Sequence, residues 1–531
     1  MAAADPARPR APERTGKAAV LVAAGILLSR IFGLIRQRFL GHYLGLGDAA
    51  DAFHAAFKIP NVLQNLFGEG VLSASFIPVY ARLLAEGDDR EADHVAGAIA
   101  ALLAVTTAVI VLVGVLATPW LIDVIAYGFS GAKRELTIQL VRIFFPGAGV
   151  LVLSAWCLGV LNSHRRFFIS YTAPIAWNLA IIGTLIAFGR RLAPESLAIA
   201  AAWGSLGGSV LQLLVQLPTV LTLLDHFRPT LNATSAYVRA VLRNFGPVFV
   251  GRGVVQISGY VDVVLASVLP TGAVAGLTTA QTLGILPVSL FGMSVSAAEL
   301  PAMSSALGDE SEIGAFLRTR LDAGLRRIAF LVVPSAVAFL ALGDVLAAAL
   351  FQTGRFTRAD SVYVWGILAG SAVGLLASTL GRLYSSAYYA LRDTKTPLWF
   401  ALVRVVLTTG LGAAAALVLP RALSLDLKWG AAGLTASAGI AAWVEFTLLR
   451  RTLNRRIGRT GLSAAFLAKL WGSALVAAAA AWGVKLGLGV GHPILLAIAA
   501  LVPYGVVYFA LTMWLAIPEA RTVLETGLRR R

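Results

Sequence analysis

The chain has a single cysteine, Cys157, in 531 residues. One thiol cannot build a disulfide framework or a cysteine-based metal site. The six histidines are scattered, with no HExxH spacing, so no zinc-protease helix is encoded. There is no Walker-type phosphate loop, and "GRFTRAD" does not make one, so no ATP-driven step is expected. No Ser/His/Asp order stands out, and no large acid-rich loop of the kind a polyprenyl-phosphate transferase would use. The chain is therefore not read as an enzyme. Charge is also scarce. Only 13% of residues are charged, against about 25% in a soluble domain. Acids are scarcer still, 27 against 44 Lys and Arg, which leaves a net charge of +17. In a soluble protein that excess would suggest nucleic acid. Here the basic residues mostly flank apolar runs, so they read as topology signals and contacts to anionic lipid headgroups, with no nucleic-acid partner.

What is abundant is apolar length: 58% of residues are hydrophobic. A membrane-spanning helix needs about 20 apolar residues, and about fourteen runs qualify. They cover 18–40, 52–82, 96–119, 138–161, 167–189, 197–224, 240–268, 274–305, 327–350, 361–390, 397–419, 430–449, 465–486 and 493–516. The fold class is thus an all-α integral membrane protein. The start, "MAAADPARPRAPERTGK", is Pro-rich and basic and is expected to be disordered. It lacks the short apolar core and cleavage site of a signal peptide, and the first run is too long for one, so that run is read as a retained span.

With a cytoplasmic N-terminus, the inner segments hold Arg8, Arg10, Arg14, Arg165, Arg166, Arg318, Arg320, Arg450, Arg451, Arg455 and the "LRRR" tail. That is a clear positive-inside bias, and an even number of spans puts both termini inside. A weak internal echo also appears. "LNSHRRFFISYTAPIAWNLAII" joins spans 4 and 5, and "YYALRDTKTPLWFALVRVVL" joins spans 10 and 11. "SASFIPVYARLL" and "AAELPAMSSAL" end spans 2 and 8. An offset of six spans preserves direction, which suits parallel repeats in a transporter. The chain divides accordingly into a disordered segment 1–17, an N-lobe 18–224, a C-lobe 225–449, spans 13 and 14 over 450–516, and a basic tail 517–531.

Charges inside the runs are functional candidates, because an intramembrane Arg costs about 2.5–3.5 kcal/mol on insertion scales. Arg30, Gly33 and Arg36 step round a helix by threes and put two guanidiniums on one broad face. Snorkelling explains Arg38 and is plausible for Arg36, but it serves Arg30 poorly, since Arg30 lies well inside the run. A guanidinium is suited to phosphate, which it binds as a bidentate fork while keeping its charge. The stretch therefore suggests a wet cavity for an anionic, phosphorylated substrate. The next run holds Asp51, Lys58, Asn61 and Glu69, with Pro60 set to kink the helix. These are read as cavity and gating charges or contacts. Deeper in the chain, Arg252 and Asp262 lie in span 7 and Arg404 in span 11. Asp262 is a candidate for carrying a coupling ion or for neutralising an arginine, and the sequence leaves both open.

At these residues the chain resembles the MurJ/MviN family, the lipid II flippases of the multidrug/oligosaccharidyl-lipid/polysaccharide exporter superfamily. The resemblance is strongest in "SRIFGLIRQRFLGHYLGLGDAADAFHAAFKIPNVLQNLFGEGVLSASFIPVY". It continues in "LNSHRRFFISYTAPIAWN", "FGPVFVG", "ALFQTGRFT" and "YYALRDTKTP". It implies fourteen helices, in two six-helix lobes around a cationic central cavity, with spans 13 and 14 forming a groove for a prenyl tail. It also implies export of an undecaprenyl-pyrophosphate-linked peptidoglycan precursor by alternating access in a bacterial inner membrane. Arg30 and Arg36 match the two pyrophosphate-facing arginines of span 1. Two further cavity arginines implied by the resemblance fall on Gln64 and Thr282. Some members bind sodium through an acid on span 7, matched by Asp262, and groups on span 11, which here are Thr408 and Gly412. Gly412 offers no side chain, so that site looks incomplete.

The resulting expectation is a lipid II flippase serving peptidoglycan synthesis. Its cargo contacts would be Arg30, Arg36, Arg252, Gln64 and Thr282, with Arg252 or Arg404 making up the missing charge. It would need no cofactor, with Na⁺, H⁺ or the membrane potential supplying the drive. Its partners would be lipid II, anionic lipids and the cell-wall synthesis machinery. The alternatives are a flippase for another polyprenyl-linked oligosaccharide and a non-transporting paralogue. A drug or cation antiporter would want an acidic cavity, which the span 1 arginines oppose.

Overall fold

The computed structural model describes residues 13–305, 309–488 and 491–528; within them the side chains of Glu69 and Arg252, among others, lie outside the described set. Of the N-terminal segment expected to be disordered, only 13–17 are described, and they form the first turns of a helix. The chain is helical throughout, with no strand among the described residues. The helices are α1 (Glu13–Leu44), α2 (Asp48–Phe67), α3 (Glu69–Ser75), α4 (Ile77–Glu86), α5 (Asp89–Leu116), α6 (Thr118–Ile125), α7 (Gly131–Ser163), α8 (Phe167–Phe188), α9 (Pro194–Leu221) and α10 (Ala236–Ser267). They continue with α11 (Ala273–Pro287), α12 (Ser294–Ser304), α13 (Glu310–Phe351), α14 (Arg358–Ala390), α15 (Lys395–Ala413), α16 (Leu419–Ala422), α17 (Gly430–Ile457), α18 (Ala464–Leu488), α19 (Pro493–Trp514) and α20 (Pro518–Leu528).

Eleven helical segments among the described residues are long and apolar enough to cross a membrane. They coincide with expected spans 3 to 6 and 8 to 14. The other three expected spans overlie α1, the α2–α4 succession and α10. Expected span 2 is not one helix: it breaks at Gly68 and again at Phe76. The first break has a steric cause. A Cβ on residue 68 would lie 2.0 Å from the Gln64 carbonyl oxygen, so the chain passes itself at a distance only glycine permits. Span 8 is also composite, with a π-helical segment Val288–Met293 between α11 and α12 directly after Pro287. Proline there lacks the N–H that would continue the ladder.

The chain separates into two compact units. The first comprises 1–43, 52–125 and 129–260, and the second 44–51, 126–128 and 261–531. In the first unit α7 is buried along most of its length, from Leu136 to Leu161. Small residues let its neighbours close in. A Cβ on Gly147 would meet the Ser209 hydroxyl of α9 at 2.9 Å, and one on Gly208 the Trp177 carbonyl of α8 at 2.9 Å. In the second unit, α14 and α17 touch at Gly374 and Gly439, where an added Cβ on Gly374 would fall 2.2 Å from the Gly439 Cα. Backbone contact of this kind replaces the hydrophobic drive that lipid cannot supply. The α18–α19 pair belongs to the second unit. There the Tyr508 hydroxyl donates to the Phe330 carbonyl at 2.7 Å. That oxygen is the one Pro334 leaves without its helical donor.

Two connections carry the internal echo into geometry. After α7, Arg165 is left-handed (φ 59°) and Arg166 N–H donates to the Leu161 carbonyl at 2.8 Å. After α14, Arg392 is left-handed (φ 58°) and Asp393 N–H donates to the Tyr388 carbonyl at 2.9 Å. Both turns close one helix with the same residue in the same strained conformation, which is uncommon outside glycine.

Candidate functional site

In the first unit the centre is Arg36 on α1. Its Nη1 donates to Asn178 Oδ1 at 3.0 Å. Asn178 is itself fixed, because its Nδ2 donates to the Pro174 carbonyl at 2.9 Å. The guanidinium lies 4.8 Å from the Trp177 ring centre and 5.5 Å from that of Phe57. Trp177 is held in turn by its indole N–H, which donates to the Ser205 carbonyl at 3.1 Å. Phe57 stacks on Trp177 at 5.6 Å and takes the edge of Phe144 at 5.4 Å. Four helices therefore build an aromatic notch for one cation. A planar guanidinium suits such a notch, since each ring face adds about 0.5–2 kcal/mol of attraction.

Arg30 lies two turns earlier on α1, half-buried, with no hydrogen bond or ion pair to it among the described residues. Between the two arginines a Cβ on Gly33 would meet nothing within 4 Å. That face of α1 is therefore open at Gly33, with one anchored and one unanchored guanidinium beside the opening. Next to Arg36, Gln37 is buried and its side-chain nitrogen lies 3.3 Å from His54 Nε2.

The kink of α2 at Pro60 is braced. The Tyr260 hydroxyl donates to the Lys58 carbonyl at 2.9 Å, with Ile59 O at 3.4 Å. The Lys58 side chain passes close to Gly259. Asn61 and Gln64 line a narrow gap of about 20 Å³ together with Trp177, Ser205 and Ser209. Glu69 belongs to the break after Gly68, but its side chain lies outside the described residues, as does that of Arg252.

Asp51 occupies a different position from the one expected. It is buried, and its two carboxylate oxygens accept from Gly272 N–H and Ala275 N–H, each at 2.8 Å. It thus caps the N-terminus of α11, where a carboxylate meets unsatisfied N–H groups and the positive end of the helix dipole. That is an anchoring role within the second unit rather than a charge lining an open cavity.

The second unit has its own polar centre. A cavity of about 160 Å³ is lined by Asp262, Gln281, Ser371, Ser378, Arg404 and Thr435, among others. Gln281 Nε2 donates to Asp262 Oδ2 at 3.3 Å. Arg404 Nη1 donates to Glu445 Oε2 at 3.1 Å. Thr282 spends its hydroxyl on the Thr278 carbonyl of its own helix. Thr408 is buried, and Gly412 packs where an added Cβ would sit 3.3 Å from the Ser437 hydroxyl. Among the described residues no group of three or more His, Cys, Asp or Glu could hold a metal ion.

Sequence reasoning missed Glu445, Asn178 and the Trp177 platform. Glu445 was findable, as a lone acid inside an apolar run is the signal that singled out Arg404. Asn178 was not, because only the fold brings it to a helix 142 residues away in sequence. Glu299, nearly fully buried, was also missed; it pairs with Arg320 at 2.9 Å and Arg327 at 3.4 Å.

These features define a polytopic, all-helical membrane transporter with cationic and ion-paired groups at membrane depth. Comparisons with known proteins specify it further. The profile of the family described as lipid II flippase MurJ matches residues 40–516. The probable lipid II flippase MurJ of Bdellovibrio bacteriovorus is 34% identical over 450 residues, covering 83% of this chain and 82% of its own. The lipid II flippase MurJ of Burkholderia cenocepacia is 31% identical over 448 residues, with coverages of 83% and 84%. Among solved structures, a lipid II flippase MurJ in an inward closed conformation shares the fold with a TM-score of 0.77 at 22% identity, over 93% of this chain and 98% of that one. An inward-facing MATE family transporter of the MOP superfamily follows the fold with a TM-score of 0.63 at 19% identity, over 82% and 98%. The chain belongs to the lipid II flippase MurJ family.

Proposed function

We propose that this protein flips lipid II from the inner to the outer leaflet of a bacterial inner membrane, by alternating access, as a step in peptidoglycan synthesis. The observation that carries the reading is the α1 pair. Arg36 is pre-organised by Asn178 and two aromatic faces. Arg30 is left free beside the open surface at Gly33. The pair suits a diphosphate, which two guanidiniums grip without any proton transfer. Lys58, Asn61 and Gln64 shape the surroundings on the kinked α2, and Glu69, Arg252 and Thr282 are further candidate contacts. Both termini are cytoplasmic on this reading. The apolar outer faces of α18 and α19, with Leu475, Val476, Leu495, Ile498 and Val502 exposed, suit the prenyl tail. Asp262 is the candidate for a coupling Na⁺ or H⁺. Return of an empty cationic site is also sensitive to the membrane potential, at about 2.3 kcal/mol per charge per 100 mV. The partners are lipid II, anionic lipids and the cell-wall synthesis machinery.

A second reading, a flippase for another polyprenyl-pyrophosphate oligosaccharide, is favoured by the uncharged Gln64 and Thr282. The test for both is complementation of a conditional lipid II flippase depletion strain. Rescue by the wild-type chain, lost in Arg30→Ala and Arg36→Ala at equal membrane levels, supports lipid II. Failure of a well-expressed wild type moves the cargo to another polyprenyl-linked glycan.

A further inference from the structure

We propose that a second anion site, separate from the α1 arginines, lies in the first unit between the start of α5 and the α9–α10 connection, and that it takes a phosphate or diphosphate group. The cavity there measures about 570 Å³ and is lined by Arg90, His94, Asp225, His226, Arg228 and Thr230, with Phe227. Ligand pockets span about 300–1,000 Å³, so a headgroup or a nucleotide-sized compound fits.

The charges are arranged to leave two cations available. Neither Arg90 nor Arg228 has a hydrogen bond or ion pair among the described residues. Two acids beside the cavity wall are already engaged. Asp93, buried behind the wall, accepts the His226 backbone N–H at 2.7 Å. Glu91 accepts from the Ser235 hydroxyl. His94 Nδ1 is buried without a hydrogen-bond partner, 3.8 Å from Glu91. Asp225 is the one lining group of opposite sign.

The site is also built rather than loosely draped. A Cβ on Gly97 of α5 would fall 2.4 Å from the Arg228 carbonyl, so the connection lies directly on the helix. The Arg228 backbone is thereby fixed and its side chain is offered to the cavity. Phosphate is the chemistry that two unpaired guanidiniums recognise together. That phosphate has two sources: an anionic lipid headgroup at the membrane surface, or a soluble phosphate compound. With both termini cytoplasmic, this connection faces the cytosol, where either is at hand.

The test uses the full chain. In detergent at low salt, titration calorimetry with inorganic pyrophosphate measures the soluble arm, with every variant made on an Arg30→Gln, Arg36→Gln background so that the α1 pair does not contribute. In nanodiscs of phosphatidylcholine with phosphatidic acid, native mass spectrometry counts retained phosphatidic acid for the lipid arm. The expected result is binding in at least one arm, weakened about tenfold or more by Arg90→Gln with Arg228→Gln (about 1.4 kcal/mol per decade). Asp225→Asn should tighten it by about threefold, and Arg421→Gln, at an exposed arginine of the second unit that does not line the cavity, should leave it unchanged. Binding only in nanodiscs assigns the headgroup, and binding in detergent assigns the soluble ligand. Absence of binding in both arms, or equal binding by the double variant, overturns the proposal. If the double variant does not fold, Arg228→Gln alone and the Asp225→Asn gain decide it. Neither readout involves transport, so its failure and that of the flippase reading are distinguishable.

Discussion

Each unit carries an arginine at membrane depth, and the two are handled in opposite ways. In the first unit, Arg36 meets a neutral amide and two aromatic faces. These hold the guanidinium in place but leave its charge uncancelled. In the second unit, Arg404 meets Glu445, whose side chain is 14% exposed, and its charge is largely cancelled on the spot. On the proposed reading, position in the sequence of spans does not decide whether an arginine is available to a substrate; the partner does. Neutral positioning keeps a cation usable by an incoming anion, whereas a carboxylate at 3.1 Å competes with that anion. On the proposed reading, Arg404 is accordingly a poor stand-in for the arginines that the family resemblance implied at Gln64 and Thr282.

The sharpest way to break this contrast is at Arg36. Arg36→Ala should abolish rescue of a flippase-depleted strain. Arg36→Lys should also fail, with transport down by about 10- to 100-fold, because an ammonium neither stacks between two rings nor forks. Rescue by the lysine variant at wild-type membrane levels would mean that charge alone suffices and that the aromatic notch is incidental.

Gly68→Ala comes next, for a backbone reason. The new Cβ would collide with the Gln64 carbonyl at 2.0 Å, so the break between α2 and α3 must open. The expected outcome is loss of rescue with a fall in thermal stability, read from the melting temperature in detergent. By contrast Gly33→Ala, at an open position, should fold normally. Equal melting temperatures for the two variants would remove the steric account.

Much of this was visible in the sequence, for a simple reason. A span must be apolar over its length, so hydropathy alone marks it, and a charge within it stands out at once. Arg30, Arg36, Asp262 and Arg404 were found that way. Contacts made across the fold were invisible. Asp51 read as a charge in a gating motif, yet its partners, Gly272 and Ala275, are 221 and 224 residues away. Nothing local announces that it will cap a helix. Span 2 read as one long kinked helix, because the apolar pattern continues through Gly68. Only the close approach of Gly68 to the Gln64 carbonyl shows that it stops there.

In the second unit the contrast predicts a rescue by double substitution. Glu445→Gln leaves Arg404 without its counter-charge and should lower stability. Arg404 is 39% exposed, so the loss is discounted from the several kcal/mol of a fully buried pair to about 1–2 kcal/mol. Arg404→Gln combined with Glu445→Gln should recover part of it. A double variant no better than Glu445→Gln alone would show that the pair is not coupled.

The smallest effect tests the two echoed turns. After α7 the residue closing the turn is Arg166; after α14 it is Asp393, whose carboxylate lies 2.7 Å from Arg456 Nη1. Burial pushes the Asp393 carboxyl upward, but donation from Thr396 N–H, the Thr396 hydroxyl and Arg456 outweighs this and brings it down to about 2. The folded value is thus below the unfolded one of about 3.9. The interaction contributes stability above about pH 4 and loses it as pH falls toward 2. Asp393→Asn should therefore lower the melting temperature slightly at pH 5–7, with the difference from wild type shrinking toward zero as the pH is taken to 2. Arg166→Gln, at the matching turn, should show no such pH dependence, since no carboxylate closes that turn. A pH-independent deficit in Asp393→Asn would mean that the aspartate acts only as a neutral hydrogen-bond acceptor for Thr396, and that the two turns differ in sequence but not in electrostatics.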